Sequence, residues 1–218
     1  MNHTATEENY IKAIYHLQYT REKVSTTLLS DEMKTRPATV TDMLKKLRAK
    51  RIVHYQRYKG FTLTEAGNKT ALVVIRKHRL WEYFLVNKLG FEWDEVHSMA
   101  EELEHITSSE LITRLDKYLG TPAFDPHGDP IPDNKGKIRF IKQLNLSMLP
   151  LKKIVSVSSV KNQSSEMLDL LNHFKIGIGT KLKVNKRFDF DGSVEIKIDK
   201  LPATIISNQV AQNVFCII

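Results

Sequence analysis

Four side chains able to ligate a metal ion fall between residues 97 and 105: His97, Glu101, Glu104 and His105. A helix turns by about 100° per residue, and at that pitch the four fit within an arc of about 100°. His78 and Glu82 repeat the i, i+4 spacing earlier in the chain. Imidazoles and carboxylates gathered this way suit a divalent cation such as Mn, Fe, Zn, Co or Ni in varying degree. No thiolate is among them, which argues against a soft copper site or a structural zinc. Spacing alone leaves a second reading open, a solvated acidic helix face with two incidental histidines. His16, His54, His127 and His173 have no such company and read as surface or packing residues.

The charge around this arc is uneven. Residues 1–77 carry 15 Lys and Arg against 7 Asp and Glu, residues 78–120 carry 4 against 9, and residues 121–218 carry 14 against 9. The basic head points to a polyanionic partner. The acidic middle repels itself until a cation neutralises it. At 218 residues, 41% hydrophobic and 27% charged, the chain reads as soluble and globular, with one large or two modest domains. Its apolar runs are too short to span a bilayer, so no membrane partner is expected. Met1–Asn9 is polar and acidic, unlike a signal or transit peptide. The single cysteine, Cys216, excludes an intramolecular disulfide, fits a reducing cytoplasm and reads as a small buried apolar side chain.

The elements that must position these groups follow from periodicity. Residues 5–19 predict a helix with Ile11, Ile14 and Tyr15 on one face, and Ser25–Lys34 a short second helix. Pro37 stands where a third can begin, and Val40, Met43, Leu44 and Leu47 give its apolar stripe. Ile52–Arg57 and Phe61–Leu63 predict two strands joined at Lys59-Gly60. That order is a winged helix-turn-helix. Nine basic residues and one acid, Asp42, lie between Lys34 and Lys59. Lys and Arg there would neutralise phosphate, and the first turns of the third helix would reach base edges in a major groove. The candidate DNA contacts are Arg36, Pro37, Thr39, Thr41, Lys45, Lys46, Arg57 and Lys59. The alternative is a solvated basic helix on an ordinary domain.

Three helical stretches follow, at 65–89, 92–106 and 108–119. Their surplus of bulky apolar residues, Leu80, Trp81, Phe84, Leu85, Leu111, Ile112, Leu115 and Leu119, predicts a subunit interface. Gly120–Gly136, with four prolines and three aspartates, reads as an irregular connection. Beyond it, five short strands, an Asp191-Gly192 hairpin turn and one helix, Glu166–Phe174, predict a small five-stranded barrel. The fold class is therefore mainly α with a small β domain. No HExxH, GxSxG or phosphate-cradling motif is present, and Glu102-x-x-His105 lacks the second copy a di-iron bundle needs, so no enzyme is expected.

Taken together, the strings Glu8-Asn9-Tyr10-Ile11-Lys12-Ala13-Ile14-Tyr15, Arg76-Lys77-His78-Arg79-Leu80, Glu101-Glu102-Leu103-Glu104-His105 and Asp125-Pro126-His127-Gly128-Asp129-Pro130-Ile131-Pro132 resemble the diphtheria toxin repressor family, which includes the manganese transport regulator. The resemblance implies three segments: a winged helix over 1–64, a helical metal-binding and dimerisation domain over 65–137, and an SH3-like domain over 138–218. It implies a cytoplasmic homodimer that binds an inverted-repeat operator in double-stranded DNA, represses metal-uptake genes and takes no small-molecule substrate. Mn2+ is the favoured effector and Fe2+ the other, with Zn2+, Co2+ or Ni2+ able to substitute in vitro. The implied primary site is Glu101, Glu104 and His105 with Asn9 from the first helix. Asn9 stands where relatives often carry an acid or methionine. Lys12 stands where manganese-type relatives can carry an acid, which argues against a two-manganese site there. His78, Glu82 and His97 match the ancillary site, with Glu166 from the barrel as its fourth ligand. Two other classes stay open: a metal-binding or di-metal enzyme or storage bundle fused to a DNA-binding head, and a winged-helix regulator with an organic effector.

Overall fold

The computed structural model describes residues 3–21, 23–58, 60–106, 108–139 and 141–217. Its contacts gather into two compact units. One comprises Met1–His78, Glu102–Ile112 and Pro132–Lys137; the other comprises Arg79–Glu101, Thr113–Ile131 and Ile138–Ile218.

In the first unit, helix α1 (Ala5–Thr20) starts from a capping box. The Thr4 hydroxyl accepts from the Glu7 N–H at 3.3 Å, and the Glu7 carboxylate accepts from the Thr4 N–H at 3.0 Å. Two of the helix's otherwise unpaired donors are met this way. α2 (Thr26–Glu32) is capped by Ser25, and α3 (Pro37–Ala49) has Pro37 at its first turn. α3 buries Val40, Leu44 and Leu47 against Ile11, Ile14 and Leu17 of α1 and Leu29 of α2 in one core. The antiparallel pair β1 (Val53–Gln56) and β2 (Gly60–Leu63) closes the set, in register from Val53 opposite Leu63 to Gln56 opposite Gly60. This is the expected winged helix, with β1 a little shorter than predicted.

Gly60 shows why the wing needs glycine. Its φ is +74°, and a Cβ there would sit 2.1 Å from the Val24 carbonyl oxygen. That oxygen accepts the Phe61 N–H at 3.0 Å, so it cannot withdraw without losing the bond.

α4 (Glu65–Leu89) is the long helix expected, and α5 (Val96–Leu103) and α6 (Ser109–Tyr118) are shorter than predicted. The division between units falls within all three. No helix among the described residues is long and apolar enough to cross a membrane.

The second unit holds a six-stranded antiparallel sheet in the order β3-β8-β4-β5-β6-β7. The strands are β3 (Leu144–Asn145), β4 (Ile154–Val160), β5 (Lys181–Arg187), β6 (Val194–Ile198), β7 (Thr204–Ile206) and β8 (Val214–Ile217). Two helices share its core, α7 (Ser165–His173) through Leu168 and Leu171, and α8 (Asn208–Asn213) through Val210 and Ala211. The expected five strands and one helix are thus corrected to six and two among the described residues. β3 has two residues and α8 six, too few to show a period of 2 or 3.6. Cys216 lies fully buried in this core, and burial pushes its thiol up to about 12.

Two outcomes follow. Gly60→Ala should lower the unfolding free energy by about 1–3 kcal/mol, read by urea denaturation with circular dichroism. Cys216, with so little thiolate near neutral pH, should be alkylated by iodoacetamide at pH 8 more than about a hundredfold slower in the native protein than in guanidinium.

Candidate functional site

Within the first unit the chemistry collects around Glu104, whose side chain is fully buried. The Lys12 ammonium donates to both of its carboxylate oxygens, at 2.7 and 2.8 Å. His78 Nδ1 lies 2.7 Å from Oε2, and His105 Nε2 lies 3.8 Å from Oε1. Burial pushes the Glu104 carboxyl up, but the His78 hydrogen bond and the Lys12 charge outweigh it, so the group sits below the usual range. His105 turns its Nδ1 to Glu8 at 2.7 Å, and Lys77 stands 3.9 Å from the same Glu8 oxygen. Beside Glu8, the Asn9 Oδ1 is buried without a hydrogen-bond partner among the described residues. A buried amide oxygen left open this way loses its hydration for no return, unless a cation or donor reaches it.

The expected single helical arc from His97 to His105 is corrected here. α5 ends at Leu103, and Glu104 and His105 occupy the turn beyond it. From that turn Glu104 pairs with Lys12, 92 residues away in sequence.

Within the second unit, Glu82 is the centre. It too is almost fully buried, with His97 Nδ1 3.2 Å from Oε1 and His127 Nδ1 3.7 Å from Oε2. His97 also faces Glu101, at 3.6 Å. Glu82, Asp125 and His127 are all buried, and each offers one donor atom within 4.8 Å of the others. His127 Nε2 lies 2.8 Å from the Trp93 carbonyl oxygen, an acceptor that fixes the proton on that nitrogen. Nδ1 then presents a lone pair towards a carboxylate, and only a proton or a metal ion reconciles the two. Burial alone would lower the His127 pKa, but Glu82 and Asp125 raise it to about 8.

The loop that delivers these groups is tightly built. Asp125 Oδ1 accepts the N–H groups of His127 and Asp129, both at 2.9 Å. Arg79 of α4 lies 3.4 Å from Asp125 Oδ2 and donates to the Asp129 carboxylate at 3.2 Å and the Pro130 carbonyl at 2.6 Å. Burial, then Asp129 and Glu82, push the Asp125 carboxyl up, against Arg79 and His127. Gly128 lies so close to β4 that a Cβ would meet the Ser158 carbonyl at 1.9 Å. His127 therefore keeps ligand-like company that its sequence surroundings did not reveal. The available signal was the string Asp125 to Pro130, in a segment without periodicity.

The remaining sequence candidates are placed as follows. Glu166 is exposed in the first turn of α7, where its backbone N–H and Ser164 hold its carboxyl low, and among the described residues it does not join the group of Glu82, Asp125 and His127. Arg36, Pro37, Thr39, Thr41 and Lys45 are exposed along the start and outer face of α3. Thr41 donates to the Pro37 carbonyl, and Lys45 pairs with Asp42 at 3.1 Å. Arg57 is exposed and lies over the Tyr58 ring at 5.7 Å; Lys59 falls outside the described residues. Lys46 has a partner that sequence reasoning missed. Glu7, fully buried, accepts from Lys50 at 2.7 and 2.8 Å, with Lys46 at 3.3 Å. Burial raises the Glu7 carboxyl, but Lys50, the Thr4 N–H and Lys46 together bring it to about 2. One acid thus caps α1 and grips the last turns of α3.

These features define a winged-helix protein carrying buried clusters of carboxylates and imidazoles. Residues 2–61 match the iron dependent repressor N-terminal DNA binding domain, residues 64–133 the iron dependent repressor metal binding and dimerisation domain, and residues 144–217 the FeoA domain. The structure is similar to a manganese-dependent transcriptional repressor solved in complex with manganese, at 33% identity and TM-score 0.87 over 97% of this chain and 99% of that one. It is also similar to the manganese regulator SloR, at 30% identity and TM-score 0.78 over 96% and 97% of the two chains. The iron-dependent repressor IdeR of Mycobacterium tuberculosis is 32% identical over 127 residues, 58% of this chain and 55% of that protein. That match spans about half the length of the curated relative. The chain belongs to the iron-dependent repressor family, the family of the diphtheria toxin repressor.

Glu7→Gln keeps the shape but removes the charge from a clamp whose lysines are partly exposed. It should lower stability by about 1–3 kcal/mol, measured by chemical denaturation.

Proposed function

We propose that this protein is a divalent-metal-dependent DNA-binding repressor of metal-uptake genes, acting as a homodimer in the cytoplasm, with Mn2+ as the favoured effector and Fe2+ as the other. The observation that carries the reading is the first-unit cluster: Glu104 and His105, linked by side-chain contacts to α1 of the winged helix, with the buried Asn9 oxygen, unpartnered among the described residues, next to Glu8 in the chain. All of these donors are oxygen or imidazole nitrogen, which fits a hard to borderline cation. Glu104, His105 and Asn9 would hold the ion, with Glu101 as the further ligand the family resemblance assigns. Glu82, Asp125 and His127, with His97, would hold a second, and the His127 Nδ1 turned towards the Glu82 carboxylate supports that. The family resemblance assigns His78 and Glu166 to the ancillary site, and His78 Nδ1 lies 2.7 Å from Glu104. A bound cation would supply positive charge that ties these side chains together.

The residues of the chain do the rest. Glu8 and Glu104 orient the two ring nitrogens of His105. Glu7 holds Lys46 and Lys50, so a shift of the N-terminal end of α1 is passed to α3, whose exposed Arg36, Thr39 and Lys45 are offered to DNA. Exposed apolar side chains such as Val73, Leu89, Leu111 and Tyr118 support a partner subunit over 65–137. The segments 1–64, 65–137 and 138–218 would bind DNA, sense metal and dimerise, and carry the SH3-like fold. We assign the chain no catalytic role.

Effector and DNA must be coupled reciprocally, and a shift from 1:99 to 99:1 takes about 5.5 kcal/mol of differential affinity. The full-length protein loaded with MnCl2 should select an inverted repeat from a random duplex pool and release it on adding EDTA. Glu104→Ala and His105→Ala should bind that duplex with little response to MnCl2. Equal wild-type binding with and without metal would sink the reading. Titration giving many ions per chain, or turnover of any substrate, would instead favour a storage bundle or enzyme.

A further inference from the structure

We propose that Lys12 is a built-in competitor of the metal: its ammonium occupies Glu104 in the metal-free protein, and the cation binds by displacing it. The inference rests on the metal-dependent reading above. It begins from burial. The Glu104 side chain is 0% exposed and that of Lys12 13%, so neither charge is well screened by solvent. Lys12 Nζ donates to both oxygens, at 2.7 and 2.8 Å, which leaves neither carboxylate oxygen unoccupied. His78 Nδ1, 2.7 Å from Oε2, crowds the same group. A divalent ion drawing on Glu104 must therefore take over an oxygen that the ammonium now holds. Two cations cannot share one carboxylate in a poorly solvated site without strong repulsion.

The metal-free state is consequently not a repelling acidic cluster that waits for charge. Its acid is already neutralised, and α1 is already tied to the 102–112 segment through Lys12. Metal exchanges one tie for another, and its apparent affinity is lowered by whatever the ammonium contributed. The competitor sits on the first helix of the winged-helix segment, three residues from Asn9, whose buried oxygen is without a partner among the described residues. Release of Lys12 and engagement of Asn9 would then occur on the same turn of α1. Lys12 acts here on affinity and on metal threshold, by holding Glu104, and it need not contact the ion.

The test is direct metal binding to the full-length protein. Free Mn2+ is followed by electron paramagnetic resonance during titration with MnCl2, and thermal unfolding is recorded with and without the ion. Lys12→Met removes the ammonium and nearly preserves the stem. It should raise Mn2+ affinity by about tenfold or more, because the uncompensated carboxylate raises the metal-free state and spares the bound one. Its melting temperature should fall without metal and recover with it, so that the metal-induced rise exceeds that of the wild type. Lys12→Arg, which can fork onto both oxygens, should bind Mn2+ no more tightly than the wild type. Lys12→Gln should fall between wild type and Lys12→Met, and serves where the methionine variant does not fold. Unchanged or weakened Mn2+ affinity in Lys12→Met and Lys12→Gln, with equal loss of melting temperature in both states, makes Lys12 a structural tie only and overturns the proposal. Tighter binding by Lys12→Arg overturns it too. A wild type that binds no Mn2+ fails the metal-dependent reading itself, a separate result.

Discussion

A carboxylate loses most of its hydration when it is buried, and it stays ionised only if positive charge or hydrogen-bond donors replace the water. Glu104 imposes that condition on the first compact unit. Its oxygens collect Lys12 from α1 and His78 from α4, with His105 at the margin. The helix that leads to it stops at Leu103. Glu8 lies against His105, and the next acid back, Glu7, joins the capping box of α1 while holding Lys46 of α3 and Lys50 just past its end. The compensation of one buried charge is thus linked, through a single helix, to the face that the winged helix offers to DNA.

The second unit solves the same problem with different residues. Glu82 and Asp125 are buried together, and Arg79 and His127 compensate them. The Asp125 loop can do this because its own backbone N–H groups fold back onto the carboxylate and because Gly128 allows the chain to pass close against β4. The two clusters differ in how they are neutralised. Glu104 has a permanent ammonium on both oxygens. Glu82 faces the imidazoles of His97 and His127, at 3.2 and 3.7 Å.

Much of the architecture could be read from the residues alone. The stripe Val40, Leu44, Leu47 and the turn at Gly60 reproduce the third helix and the wing, because period 3.6 and a forced positive φ are local properties. Glu104, His105, Glu82 and His97 were recognisable as candidate ligands by residue type and spacing. Three things were not legible. Glu7 looked like one more acid in a first helical turn. Lys12 was singled out only by resemblance, as a base where manganese-type relatives can carry an acid, and its pairing with Glu104 could not be read. His127 looked isolated, since nothing near it in sequence repeats. Two-residue β3 and six-residue α8 carried too little pattern to register at all.

The sequence by itself determined the family, the order of elements and the donor chemistry. Those follow from side-chain type and short-range spacing, which survive without coordinates. Only the tertiary structure decided which charges meet. Lys12 and Glu104 lie 92 residues apart, and Glu7 and Lys50 43 apart, in this chain. Pairing at such separations depends on how helices pack, and packing is set by the apolar cores beneath them, not by the charged residues themselves. By residue type and spacing, the chain holds an acidic arc in need of a cation. The folded chain already has one in place.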